Sequence, residues 1–147
     1  MVGAAAALTI LSAGPASAVA PTSVAAGTPL WSSSQLKATG SFKNTVSAVT
    51  TYSYTLQLVR TNSATKPTCT TGCATITTSA GVVTQALLNS VTSSLSVAAS
   101  STGTTPVLSV NCLSGSTTRY YWSWFKVADS SGNVVSSTSS YIAGKYC

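Results

Sequence analysis

From Ser41 onward, apolar and polar residues alternate with period two. The clearest run is TTYSYTLQLVR, where Tyr52, Tyr54, Leu56 and Leu58 share one face and Ser53, Thr55 and Gln57 the other. A strand with one buried face is predicted there. TNSATKPTCTTGC then gathers Asn62, Pro67 and Gly72 into a surface loop, and ATITTSA reads as a short strand after it. In VVTQALLNSV the period is ambiguous: Val83, Leu87, Leu88 and Val91 fit a helical stripe, whereas the flanking Thr and Ser favour a strand. Leu95 with Val97, and Leu108 with Val110 and Cys112, mark two further alternating segments.

The strongest local signal is RYYWSWFKVADSSGNVV. Tyr121, Ser123, Phe125 and Val127 alternate there with Tyr120, Trp122, Trp124 and Lys126, so both faces carry aromatics. Asp129 to Asn133 supply a turn, with Gly132 or Asn133 suited to a left-handed conformation, and Val134 and Val135 begin a return strand. About six to eight short strands with regular turn signals predict an all-β, immunoglobulin-like antiparallel β-sandwich with disulfides, with room for one short helix.

Three segments are expected. MVGAAAALTILSAGPASAVA, residues 1–20, reads as a secretory signal peptide ending at the A-x-A of Ala16, Ser17 and Ala18, or at Ala20, although no Lys or Arg stands near Met1. Gly14 and Pro15 break its apolar part below the roughly 20 residues that span a bilayer, so no stable membrane anchor is expected. Residues 21–34, PTSVAAGTPLWSSS, show no sustained period and read as an extended N-terminal arm. Either the arm is a frayed terminus or it docks on a partner with Leu30 and Trp31 as anchors. Residues 35–147 form the β-sandwich domain.

A secreted address makes four cysteines a pairable set. Cys69 with Cys73 and Cys112 with Cys147 is the favoured pairing, on the expectation that Gly72 takes the tight conformation of a five-residue ring. Crossed pairing stays open. Zinc lacks ligands, because the chain has no histidine and the cysteine spacing fits no finger or ribbon.

Composition narrows the chemistry. Asp129 is the sole acidic side chain, so hydrolysis by paired carboxylates is excluded. Serine or cysteine nucleophiles lack a histidine base, and no phosphate loop or dinucleotide fingerprint is present. Neither an enzyme nor a cofactor is expected. The formal charge of +6 favours an acidic partner, but its lysines and arginines are scattered, which argues against nucleic acid.

The expectation is therefore a secreted, non-enzymatic binding module. It acts as adaptor or assembly subunit of an extracellular protein complex through its arm and an exposed strand surface. Lys126 shares a face with Tyr120, Trp122 and Trp124, which places that face outside. An alternative is a carbohydrate or cell-wall binding module, in which those three aromatics stack on sugar rings. A further alternative is an extracellular protease inhibitor presenting the loop 69–73, although Pro67 directly follows Lys66.

Overall fold

The computed structural model describes residues 19–112 and 115–146. Residues 1–18 of the expected leader, and Cys147, lie outside the described residues. Twelve strands follow in order among the described residues: β1 (Thr22–Ala26), β2 (Leu30–Ser32), β3 (Gln35–Ala38), β4 (Gly40–Lys43), β5 (Thr50–Thr61) and β6 (Ile76–Thr77). The second half continues with β7 (Val83–Val97), β8 (Thr102–Thr104), β9 (Leu108–Asn111), β10 (Arg119–Ala128), β11 (Val134–Thr138) and β12 (Ile142–Gly144). Every pairing is antiparallel, and none of the described residues is helical.

One layer has the order β11-β10-β5-β7-β6, with β12 extending the β11 side of β10. The other consists of β1-β4-β8 and β2-β3-β9. Those two small sheets lie end to end, because the same three stretches of chain build both. Gly27 N–H donates to Thr39 O at 2.8 Å, and Thr105 N–H to Gly40 O at 2.9 Å, carrying the pairing across the interruptions. Leu36, Phe42 and Leu108 from this layer meet Tyr52, Leu56, Leu58, Tyr121, Phe125 and Val127 from the larger one in a common core. The arrangement is consistent with a β-sandwich.

Two open sequence readings are decided here, and one expectation changes. The stretch VVTQALLNSV is strand from Val83 onward, as part of β7, which pairs with β5 from Gln85 to Val97. Its helix-like stripe has a specific origin. Leu58 pairs with Asn89 and Val59 with Leu87, so Leu88 is an extra residue that reverses which side chains face inward. Leu88 and Val91 consequently join the interlayer core, whereas Leu87 joins a second cluster on the outer face.

The segment 21–34 is extended, but it is a paired edge and not a projecting arm. β1 pairs with β4 and β2 with β3, and Val24, Ala26 and Trp31 pack on the core. Between β2 and β3 the chain turns through Ser33 and Ser34, both with positive φ (52° and 58°). A two-residue hairpin loop needs that left-handed pair, which glycine or asparagine normally supplies. Finally, Gly132, with φ of 82°, is the residue that takes the left-handed position in the β10–β11 turn.

Candidate functional site

The outward face of the larger layer is built on a sheet whose polar positions are mostly serine and threonine. Thr51 and Ser96 share a hydroxyl hydrogen bond of 2.7 Å, and Thr55 and Thr92 one of 3.0 Å, across β5 and β7. Within this hydroxyl surface lies an apolar patch. Val59 of β5 pairs with Leu87 on one side and Trp122 of β10 on the other, and Trp124 stands two residues further along β10.

The loop between β5 and β6 covers the patch. Cys69 and Cys73 are disulfide-bonded, with their Cα atoms 4.3 Å apart, and both pack with Val59, Leu87 and Trp124 in one cluster. The expected Cys69–Cys73 pairing is therefore present. Its expected mechanism is different, because Gly72 is not among the residues with positive φ. A Cβ on Gly72 would stand 3.6 Å from Gln57 Oε1. That is an ordinary contact distance, so Gln57 does not require a glycine at this position.

Two buried glutamines hold this cover. Gln57 accepts from Cys73 N–H at 2.6 Å and donates to Ser90 Oγ at 3.2 Å. Gln85 accepts from Thr68 N–H at 2.8 Å and donates to Thr68 O at 3.1 Å and Ala74 O at 2.8 Å. Each side-chain amide thus substitutes for a strand neighbour and satisfies loop backbone that burial would otherwise leave unpaired. Lys126 adds a third tie: Nζ donates to Thr71 O at 3.1 Å and lies 5.9 Å from the Trp124 ring centroid. An open cleft of about 610 Å³ separates the ring from β11, with Lys66, Thr68, Cys69 and Thr70 on one wall, Ser137 on the other and Trp124 at its base.

These contacts place the aromatic residues otherwise than expected. Trp122 and Trp124 are only 6% and 2% exposed, so they do not form an open platform for sugar rings. Trp122 Nε1–H donates to Thr61 Oγ1 at 2.9 Å, and its ring packs at 5.0 Å on Tyr141. Tyr120 is half-buried with its ring edge-on to Tyr141 at 5.2 Å. Lys126 does lie outward, yet the loop covers Trp124 beside it, and Tyr141 packs on Trp122. The ring also lies against the sheet instead of standing out from it, a poor posture for entering a protease cleft.

The two expected anchors of the first segment separate. Consecutive strand residues point to opposite faces. Leu30 is 67% exposed, whereas Trp31 is half-buried and stacks on Tyr146 at 4.2 Å. Beside Leu30 runs an apolar groove of about 300 Å³, lined by Thr28, Lys37, Ala38, Thr39 and Val107, the last 59% exposed. Sequence reasoning did not single out Val107, because Pro106 and Val107 stand between the alternating runs. Cys112 is buried and is no free thiol; its expected partner, Cys147, lies outside the described residues.

Asp129, the sole acid, is consumed by its own turn. Oδ1 accepts from Ser131 N–H at 2.8 Å and Asn133 N–H at 3.0 Å, and Oδ2 from Asn133 Nδ2 at 2.8 Å. The Asn133 amide, followed by the turn's backbone donors, holds its carboxyl below the usual aspartate value. Burial pushes the Tyr52 and Tyr121 phenols up. Compared with known protein families, curated proteins and solved structures, the chain matches none.

Proposed function

We propose that the protein is a secreted, non-enzymatic binding module with an immunoglobulin-like sandwich, which serves as adaptor or assembly subunit for an acidic extracellular protein. The immunoglobulin-like assignment is supported by strand order. Counting each interrupted stretch as one strand and leaving out the two-residue β6 at the edge, the first, second and fifth share a layer, and the seventh, sixth, third and fourth share the other. That is the order of A, B, E and of G, F, C, C′ in such folds.

Exposed Leu30 carries the functional reading. It sits on β2, the terminal strand of β2-β3-β9, beside an apolar groove and directly opposite Lys37. An extended segment added along β2 can exchange main-chain hydrogen bonds while one apolar side chain enters the groove. Charge selects the partner: Lys37 and Lys43 both lie on this layer, and the protein's sole acid is held in the β10–β11 turn. Because residues 22–32 are part of the sheet, the surface should be tested by substitution and not by removing the segment.

Affinity capture from the native culture medium with the tagged chain, followed by mass spectrometry, tests the proposal. A protein recovered at fixed ratio by the native chain, lost with Leu30→Asp and weakened by added salt, is the expected result. Equal recovery by Leu30→Asp would overturn it.

A further inference from the structure

We propose that the Cys69–Cys73 ring is a reducible cover over a sugar-ring site formed by Val59, Leu87 and Trp124. The site is independent of the Leu30 surface, which lies on the other layer.

The cover carries its own reducible bond, and opening it also breaks the ties from Gln57 to Cys73 and from Lys126 to Thr71. Val59, Leu87 and Trp124 come from three adjacent strands and make a flat apolar patch on an otherwise hydroxyl-rich face, and the two cysteines complete their cluster. Once the ring is moved aside, the patch presents one indole face and two aliphatic side chains. Ser90, Lys126 and the Gln57 amide released from Cys73 then stand at its margin. An apolar centre with a polar rim matches a pyranose ring, which has flat C–H faces and hydroxyls around its edge.

The latch is accessible and local. Cys69 is half-buried and lines the open cleft, whereas Cys112 is buried in the interlayer core. A small dithiol therefore reaches Cys69 first. Its thiolate attacks Cys69 Sγ and displaces the Cys73 thiolate, and its second thiol then releases Cys69. The S–S bond is replaced by two thiols, with both electrons and both protons drawn from the dithiol, which leaves as a cyclic disulfide. The flanks do not depend on that bond, because Gln85 holds Thr68 and Ala74. Between those pins, the Lys126 bond to Thr71 and the Gln57 bond to Cys73 are the contacts that opening must break. Opening is thus confined to the ring.

The test follows tryptophan accessibility to acrylamide in three forms: the oxidised chain, the chain treated with dithiothreitol, and the Cys69→Ser/Cys73→Ser variant, which leaves Cys112 untouched. Trp124→Phe assigns the signal. The expected result is a severalfold rise in Trp124 quenching in both opened forms, with the far-ultraviolet circular dichroism unchanged. Addition of glucose or N-acetylglucosamine hexaoses should reverse that rise, and should have no effect on the oxidised chain. Unchanged quenching on opening would overturn the cover. Raised quenching that neither hexaose reverses would overturn the sugar site, and loss of the fold in both opened forms would overturn the latch. Leu30→Asp should leave every one of these signals as in the native chain.

Discussion

Gln85 and Asn44 show how much of this fold depends on single buried amides. Asn44 Nδ2 donates to the carbonyls of Ala48, Val97 and Ala98 at 3.0 to 3.1 Å, and its Oδ1 accepts from Val46 N–H and Tyr52 Oη–H. Asn44→Asp replaces that donor with a second acceptor among three carbonyls, so about 3 kcal/mol of stability should be lost in urea unfolding. Gln85→Leu keeps the volume but strands the Thr68 and Ala74 backbone, for an expected loss of about 2 kcal/mol. A Gln85→Leu chain as stable as the native one would mean that the loop is not held as described. At Gly40, an added Cβ would stand 2.4 Å from the fully buried Phe125 ring. Gly40→Ala should therefore destabilise by about 1 to 3 kcal/mol through overpacking.

At the scale of elements, the β2–β3 hairpin holds stored strain that can be removed. Ser33 and Ser34 occupy left-handed positions that asparagine and glycine adopt at lower cost. Ser33→Asn with Ser34→Gly should raise the stability by about 0.5 to 1 kcal/mol, read as a higher urea midpoint with unchanged slope. The disulfide ring contributes more than that. Closure of a five-residue loop removes chain entropy worth about 2 kcal/mol, so the Cys69→Ser/Cys73→Ser chain should unfold at lower urea yet remain folded in water.

For the whole molecule, one acid and no histidine imply a flat stability profile across neutral pH. At the acid end the carboxyl of Asp129 is held low, so its contribution is present above the unfolded value, about 3.9, and is lost as pH falls through the lower folded value. Asp129→Asn should remove that acid dependence. At the alkaline end Tyr52 and Tyr121 are held neutral by burial. Their contribution is full below about pH 10 and is lost as pH rises through their higher folded values. Chemical unfolding from pH 3 to 11 checks both limbs; a midpoint that moved through pH 6 to 8 would contradict the account.

The amino-acid sequence by itself determined the all-β class, the long strands around Tyr52 to Leu58 and Tyr121 to Val127, the β10–β11 turn and the Cys69–Cys73 pair. Each follows from local rules: period-two alternation, a turn residue free to adopt positive φ, and two thiols too close in sequence to avoid one another. Tertiary structure alone decided what each face meets. Lys126 marks a face as outward but says nothing about a loop lying upon it, so the burial of Trp124 depended on Gln57 and Gln85, which no local pattern distinguishes from surface glutamines. Leu88, as a single inserted residue, gave β7 the stripe of a helix, and only pairing with β5 resolved it. Likewise residues 22–32 carry no strand period of their own. Their partners, β3 and β4, lie across a turn whose serines give no sequence signal for the left-handed backbone they adopt.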